Sequence, residues 1–408
     1  MRTGGGSAGF GRVWAAETVS GFGSYVTGVA LPVLLVVTLS ASATELGVVA
    51  AAQWLPYLLF GLLAGVFIDR HRRRRLIVGT ELGQGALLLT IPVLAALGLL
   101  RVWVVVLFLL PFGTLSLLGT AAGQAYLPRL VPAAELTRAN VRLERSRIAA
   151  QTVGPALAGG LVRVVGAPLA VLVDAASYLV SGVLVATVRT PEPAPSRAGR
   201  RRVRTELAEG LRFVYRHRTL APYALGTHGW FIGTAMASTL WAPYVLRQAG
   251  IGSVGLGVTL AAAGVGGVVG NTVGVRLGGR IGAGGTVVVG RWLSPLAFLV
   301  VALVPPTGGL AWGVAVAGQA LFGLGMGIDA PMESAYRQTV TPDALQGRMN
   351  ATIRSMNWGL RTVGAPLGGV LGDHLGYRPA LAVAAGVYAV AALGMTLSPY
   401  RTARLPDR

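Results

Sequence analysis

The sequence predicts an all-α membrane protein in which twelve transmembrane helices form two six-helix bundles. Scarce charge, twelve apolar stretches of membrane-spanning length and an internal repeat lead to this prediction. Of the 408 residues, 53% are hydrophobic and only 12% are charged, and the mean hydropathy is +0.63. Because a soluble domain has about 25% charged residues, this chain is left with the long uncharged stretches that a bilayer interior requires.

Each apolar stretch is long enough for a helix, rising 1.5 Å per residue, to cross a hydrocarbon core of about 30 Å. None alternates in polarity over about ten residues, as the strands of a membrane barrel do. The first is longer than the apolar region of a cleaved signal peptide, about 7–15 residues, so we expect it to remain as a span. The stretches lie near residues 13–39, 45–68, 76–98, 102–125, 142–165, 168–188, 220–246, 252–275, 284–305, 309–334, 350–372 and 377–397.

Arginine placement predicts the orientation. All 35 basic residues are arginine, and 31 of them fall in one set of alternating loops and the adjacent helix ends. Cytoplasmic loops carry such an excess, so we expect both termini in the cytoplasm. The exceptions are Arg101, Arg163, Arg247 and Arg378.

One long polar interruption divides the chain. Residues 189–219 begin with a Pro-, Ser- and Arg-rich segment, which indicates a flexible opening over 189–203. They continue through ELAEGLRFVYRH, which favours an amphipathic helix on the inner membrane surface. The predicted organisation is an N-terminal six-helix bundle (1–188), a cytoplasmic linker (189–219) and a C-terminal six-helix bundle (220–408).

An internal repeat supports this division. AYLPRLVPAAELTRAN (125–140) and AYRQTVTPDALQGRMN (335–350) align without gaps at an offset of 210, which continues through Gly154 and Gly364. Chance similarity of apolar sequence does not account for matched Tyr, Pro, Arg and Asn in a loop. Six spans per repeat is an even number, so both halves have the same orientation and form a parallel repeat.

Several classes of function are excluded. The net charge of +20 is divided among short loops rather than gathered into a nucleic-acid surface, and the absence of cysteine excludes thiol catalysis and cysteine metal sites. No Walker loop is present, and GVGGVVG (264–270) lies in an apolar span with no strand before it. We therefore expect no enzyme activity, cofactor, metal or nucleic-acid partner.

Two motifs resemble those of the major facilitator superfamily, and the resemblance covers nearly the whole chain. GVFIDRHRRRRL (65–76) is similar to the family's G-x-x-x-D-R-x-G-R-R loop, and TVGPALAGGLV (152–162) resembles its antiporter motif. VDAASYLVS (173–181) is similar to the drug-exporter branch that includes macrolide efflux proteins and the enterobactin exporter. The matched residues are Gly65, Asp69, Arg70, Arg73 and Arg74 in the loop and Gly154, Pro155 and Gly159 in span five.

The resemblance implies that the loop gates the cytoplasmic side. Asp69 would face either Arg348 or the positive end of a helix in the other half, and this contact would favour the outward-open state. The alternative is that the arginine run only determines topology. Gly154 and Pro155 would bend span five beside a central cavity, or serve packing alone.

Ionisable groups inside the bilayer are candidates for proton exchange. Asp329 and Glu333 share one face of span ten, and Asp329 is the better candidate. His228, near the middle of span seven, titrates near neutral pH, but could equally be a neutral histidine bonded to a neighbouring helix. Glu17 is a further candidate, and ion pairing with arginine is the alternative for it and for Glu333. Asp174 is expected to be structural.

Polar and aromatic residues near mid-depth are candidates for a substrate cavity. They would give an apolar pocket the few polar groups that suit a hydrophobic ligand, although hydrogen bonding between helices explains them about as well. The candidates are Gln53, Trp54, Gln319 and Asn357.

The resemblance implies a monomeric secondary transporter of the bacterial plasma membrane. It would export hydrophobic small molecules or antibiotics by alternating access in exchange for protons, so its partners would be a small hydrophobic substrate, protons and the lipid bilayer. Export of siderophores or metabolites, import, and a transport-inactive membrane sensor or assembly protein remain alternatives. The gating loop argues against the last, because a static scaffold needs no gate.

Overall fold

A computed structural model describes residues 4–190, 192 and 203–405, apart from the side chains of residues 4–8, 62, 66, 69, 203, 204, 206 and 207. Within these residues the chain is helical and contains no strand. The helices are α1 (Gly4–Val33), α2 (Ala43–Asp69), α3 (Arg73–Ala96), α4 (Val102–Leu130), α5 (Leu136–Val165), α6 (Ala167–Ala186), α7 (Val203–Arg216), α8 (Leu220–Pro243), α9 (Gly252–Leu303), α10 (Gly308–Val340), α11 (Asp343–Leu375) and α12 (Tyr377–Leu397).

Helix α9 contains two spans. Its 52 residues bend at Gly282, whose φ of +79° and ψ of 171° are readily adopted without a Cβ. Nine helices in the described residues are long and apolar enough to cross a membrane, and α9 is one of them. Helices α8 and α11 are long enough but more polar. With α9 counted twice and these two added, the prediction of twelve spans is confirmed.

Some helices begin before the predicted apolar stretches. Helix α5 starts at Leu136 and α11 at Asp343, whereas the apolar stretches start near residues 142 and 350. The additional turns are amphipathic, so their polar side chains remain in contact with water while the helix continues. Apolar content alone therefore underestimates helix length at this end.

The backbone repeats with the same offset of 210 residues as the sequence. Helix α1 continues as a π-helix over Leu34–Thr38, and α8 continues as a π-helix over Tyr244–Gln248. Gly166 and Gly376 precede α6 and α12 with φ values of +82° and +87°. Matched irregularities at matched positions confirm a parallel repeat of two six-helix halves.

Two sides of the helical layer are distinguished below. The linker side holds α7, the turn between α2 and α3 and the turn between α10 and α11. The far side holds the opposite turns, at residues 39–42, 97–101, 249–251 and 304–307. Each span connects these two sides.

Buried apolar packing joins the two halves on the far side. One cluster contains Leu46 and Val162 of the N-terminal half together with Leu240 and Leu256 of the C-terminal half. On the linker side, the buried residues form two separate clusters, one for each half. The two halves are therefore packed together on the far side and have separate cores on the linker side.

Candidate functional site

A cavity of about 530 Å³ lies between the two halves and is lined by both. Its wall includes residues 24–35 of α1 and its π-helical extension, 46–54 of α2 and 234–242 of α8, which belong to the far-side halves of these spans. This volume is within the range of small-molecule sites, about 300–1,000 Å³. The cavity therefore has the size and position of a central binding site.

The wall of the cavity is mainly apolar, and seven of its lining residues are aromatic. Its polar groups include Gln53, Gln319 and the Tyr178 hydroxyl, which lies 3.0 Å from the Ser24 hydroxyl. The structure thus brings three of the cavity candidates, Gln53, Trp54 and Gln319, to one site. The aromatic lining residues are Trp54, Phe112, Tyr178, Trp241, Phe298, Phe322 and Tyr388.

An aromatic cluster crosses between the halves at the linker-side edge of the cavity. The rings of Trp54 in α2 and Trp358 in α11 are 4.5 Å apart between centroids, and Tyr57 stacks on Trp358 at 5.4 Å. The guanidinium carbon of Arg361 lies 4.8 Å from the ring centroids of both tryptophans. Trp54 and Arg361 line the cavity, so these two members of the cluster belong to its wall.

Glycines bring the halves into contact on the far side, at two places related by the repeat. A Cβ at Gly257 in α9 would overlap the carbonyl oxygen of Pro155 in α5, and Gly159 lies against the backbone of Ser253. The equivalent contacts join Gly47 in α2 and Gly369 in α11 to the backbone of the opposite half. Pro155 and Gly159 of the antiporter-like motif therefore lie at a contact between the halves.

Gly154 has a different neighbour. A Cβ at this position would approach the Cβ of Tyr25 in α1 to 2.9 Å. Its lack of a side chain therefore allows close packing within the N-terminal half.

Two polar contacts reinforce the far-side closure. The carboxylate of Asp373 accepts hydrogen bonds of 2.8 Å from the backbone N–H groups of Ala43 and Thr44. The Arg247 guanidinium donates to the carbonyl oxygens of Val36 and Ala41 at 2.9 and 2.8 Å. Each contact joins the two halves.

The side chain of Asp69 in the predicted gating loop lies outside the described residues, so its expected contact stays a prediction. Gly65 and Arg70 are exposed and Arg73 is buried. Arg74 donates from its guanidinium to the carbonyl oxygens of Val185 and Ala186 at the end of α6, as cations often do at a helix C-terminus. Arg348 pairs with Glu209 of α7. The described contacts of Arg74 lie within its own half, and that of Arg348 joins α11 to the linker helix α7.

The proton-exchange candidates of span ten belong to a buried ion cluster. Arg291, in the second span of α9, lies 3.0 Å from Asp329 and 2.8 Å from Glu333 between charged atoms. Arg337 is a more distant neighbour of Glu333 at 3.7 Å. The Arg291 guanidinium also lies 4.6 Å from the Trp230 ring centroid. Glu333 thus pairs with arginines of its own half.

His228, in α8, joins α11 of the C-terminal half and the linker helix α7. Its Nδ1 lies 2.6 Å from the side-chain oxygen of Asn357 in α11, and its Nε2 lies 2.7 Å from the Tyr215 hydroxyl in α7. Since an amide oxygen only accepts, Nδ1 donates to Asn357, and in the neutral ring Nε2 accepts from Tyr215. Asn357 is bonded to His228, and neither residue is part of the described cavity lining.

Glu17 and Asp174 are the two acidic residues of the N-terminal half for which the sequence suggested a role inside the bilayer. Glu17 is exposed and points toward Gly123 of α4. Asp174 is fully buried in the cavity wall, where one oxygen accepts from the Ser177 hydroxyl at 3.1 Å and the other has no hydrogen-bond partner among the described residues. Asp174 therefore lies at the cavity wall, and its structural role stays a prediction.

Sequence reasoning missed Arg361 and Arg291, both of which lie well inside spans. It treated arginines as markers of topology, although a charge within an apolar segment is a functional candidate whatever its sign. Depth within the span, applied to basic as well as acidic residues, would have found both.

These features define a membrane transporter: two similarly oriented six-helix bundles with a cavity lined by both. The sequence matches the family described as transmembrane secretion effector over residues 7–405, and the chain belongs to this family of the major facilitator superfamily. The predicted superfamily and the prediction that the chain is a transporter and not an enzyme are confirmed by this membership.

Relatives named as efflux proteins support the predicted branch. The chain is 29% identical over 386 residues to the multidrug efflux pump Tap of Mycolicibacterium fortuitum, with 88% of each chain covered. It is 30% identical over 185 residues to macrolide efflux protein A of Streptococcus pyogenes, where the match spans 45% of each chain, less than half the length of that relative.

Solved structures share the fold. The nucleoside transporter NupG is 12% identical, with a TM-score of 0.72 and 95% and 98% of the two chains covered. A bacterial homologue of the iron transporter ferroportin, in an inward-facing state, is 15% identical with a TM-score of 0.74 and coverages of 95% and 97%. At such identities, the likeness concerns the fold alone.

Proposed function

We propose that this chain is a secondary exporter of lipophilic small molecules in a bacterial plasma membrane, with both termini and the linker side in the cytoplasm. The observation that carries the proposal is the central cavity, because both halves line it and its mainly apolar wall includes seven aromatic residues. Such a wall suits hydrophobic ligands of varied shape. The names of the relatives, a multidrug efflux pump and a macrolide efflux protein, agree with this substrate class.

Alternating access is the proposed mechanism. The halves share a continuous core on the far side and have separate cores on the linker side. If the halves separated on the far side and packed together on the linker side, the cavity would open to the far side instead. The cavity would then be open to one side at a time. The contacts of Asp373, Arg247 and Gly257 would break when the far side opens.

Protons are the proposed counter-ion, and the cluster of Arg291, Asp329 and Glu333 is the proposed site. Asp329 and Glu333 share the Arg291 guanidinium, and Asp329 has no second arginine beside it among the described residues, so a proton could neutralise its buried carboxylate. Asp329 is the favoured carrier because Glu333 has a second arginine nearby. His228 and Glu17 are further candidates.

Flux in proteoliposomes tests this function. Efflux of a panel of lipophilic compounds, including a macrolide, is measured with and without a pH gradient, with protein-free liposomes and a proton ionophore as controls. We expect gradient-dependent flux of at least one compound, abolished by the ionophore. Absence of flux for every compound would contradict export. Flux at the same rate with and without the pH gradient would contradict proton coupling.

A further inference from the structure

Arg361 lies in the cavity wall without a carboxylate partner. It stands midway along α11, is partly buried and contacts the rings of Trp54, Trp358 and Phe231 at 4.8, 4.8 and 5.1 Å from its guanidinium carbon to the ring centroids. Its Nε is buried without a hydrogen-bond partner. Among the described residues, its side chain makes no ion pair or hydrogen bond.

Aromatic contacts alone leave this guanidinium incompletely satisfied. Arginine keeps its charge in proteins and carries five N–H donors. Ring faces attract the charge but do not replace the hydrogen bonds that water would supply. Arg291, which is also inside the C-terminal half, has Asp329 and Glu333 as partners. Arg361 therefore lacks the carboxylate partners that neutralise Arg291.

The carboxylate in the described cavity lining does not fill this role. Asp174 is on the opposite half, and its side chain is fully buried, where it contacts Ser177 of its own helix. The described residues contain no ion pair between Asp174 and Arg361. Arg361 lines the cavity. A ligand bound there could therefore supply the anionic group that the described residues do not.

We infer that Arg361 binds the anionic group, a carboxylate, sulfonate or phosphate, of an amphipathic substrate whose apolar body packs on the aromatic wall. The planar guanidinium matches the geometry of such oxyanions and can bind them through two parallel hydrogen bonds. Trp54 and Trp358 hold the guanidinium at the edge of the cavity. This inference rests on the proposed function, since it names the substrate class of the same cavity.

Two dyes with the same ring system test the inference. 8-Anilinonaphthalene-1-sulfonate carries a sulfonate, and N-phenyl-1-naphthylamine does not. Binding of each to the full chain in phosphatidylcholine nanodiscs is measured by energy transfer from tryptophan, with empty nanodiscs subtracted. We expect Arg361→Gln to raise the Kd of the anionic dye by about tenfold and that of the neutral dye by less than about twofold, because only the charge-assisted hydrogen bonds are lost.

Two further variants control this measurement. Arg361→Lys keeps the charge but loses the planar fork, so we expect an intermediate Kd for the anionic dye. Should Arg361→Gln fail to fold, the Kd of the anionic dye divided by that of the neutral dye is compared between Arg361→Lys and the unmodified chain. A higher ratio in Arg361→Lys supports the inference, and an unchanged ratio contradicts it. Arg378→Gln removes an arginine that bonds the carbonyl oxygens of Ala302 and Leu303 away from the cavity, and neither Kd should change.

An unchanged Kd for the anionic dye in Arg361→Gln, or equal weakening of both dyes, would overturn the inference. Efflux of both dyes from proteoliposomes separates it from the proposed function. Gradient-driven efflux of the two dyes with no dependence on residue 361 would leave the exporter proposal intact. Absence of gradient-driven efflux of both dyes by the unmodified chain, with anionic-dye binding still dependent on Arg361, would contradict the exporter and keep the anion site.

Discussion

The carboxylate of Asp373, in the last turn of α11, accepts a 2.8 Å hydrogen bond from the backbone N–H of Thr44, in the first turn of α2 in the other half. A carboxylate at this position satisfies unpaired N–H groups and meets the positive end of the helix dipole. Helices α2 and α11 are antiparallel, and α2 ends at Asp69 on the side where α11 begins. We therefore expect Asp69 to make the reciprocal contact with α11 when the linker side closes.

Asp373→Asn is expected to favour opening of the far side. Hydrogen bonds to charged groups contribute about 1.5–3 kcal/mol, so the variant should raise far-side accessibility by about tenfold. The chain has no cysteine, so a single Ser238→Cys in the cavity wall reports access through its rate of labelling by an impermeant maleimide. The control is Glu45→Gln, which removes a carboxylate at the same helix end whose contact with Ser42 stays within one half. Equal labelling rates in the two variants would contradict the role of Asp373 in keeping the far side closed.

Arg291→Gln is expected to destabilise the protein more than Asp329→Asn. The first leaves the buried Asp329 without its arginine and Glu333 with only the more distant Arg337, and breaking a buried pair costs about 3–5 kcal/mol. The second preserves the pair of Arg291 and Glu333. Thermal unfolding in detergent measures the difference. Glu144→Gln, which breaks an exposed ion pair with Arg147, should cost less than about 1 kcal/mol. The reverse order of the two buried variants would refute this account of the cluster.

Gly257→Ala is expected to change the balance between states. A methyl group there would overlap the Pro155 carbonyl of the other half, so the far side could close only with displacement of α5. Gly270→Ala is the matched control, because its methyl would overlap the Leu324 carbonyl within the same half. We expect faster labelling of Ser238→Cys in Gly257→Ala and a lower melting temperature in Gly270→Ala. Slow labelling with Gly257→Ala would show that the halves tolerate the methyl group.

Asp329→Asn is expected to abolish transport driven by a pH gradient while preserving exchange of labelled for unlabelled substrate. Exchange needs the cavity and the conformational change but no net proton movement. His228→Gln is measured beside it, and since both ring nitrogens of His228 are already bonded, we expect coupling to persist. Full gradient-driven transport by Asp329→Asn would exclude it as the proton carrier.

The fold was predictable because the features that determine it can be recognised directly in the sequence. Apolar length locates the spans, and the offset of 210 residues gives the relation between the halves. The starts of α5 and α11 were missed because amphipathic turns extend beyond the apolar stretches. The bend in α9 depends on one backbone conformation, that of Gly282.

The site was predictable only in part. Mid-depth polarity selected Gln53, Trp54 and Gln319, which do line the cavity. The pairing of Arg291 with Asp329 joins residues 38 apart on different spans, and no spacing rule reaches across that distance. Asp174 was expected to be structural because span six lies outside the cavity in the resembled fold, whereas the structure includes this residue in the cavity wall.

Distances between the halves on each side of the membrane test the central claim most directly. Spin labels on Leu99→Cys and Leu375→Cys report the far side, and labels on Arg129→Cys and Gln338→Cys report the linker side; all four native residues are exposed. Pulsed electron resonance of each pair is recorded with and without substrate at two pH values. We predict two distance populations for each pair, with the far-side distance increasing under the conditions in which the linker-side distance decreases. A single unchanged distance on both sides, in protein that transports, would contradict alternating access by the two halves.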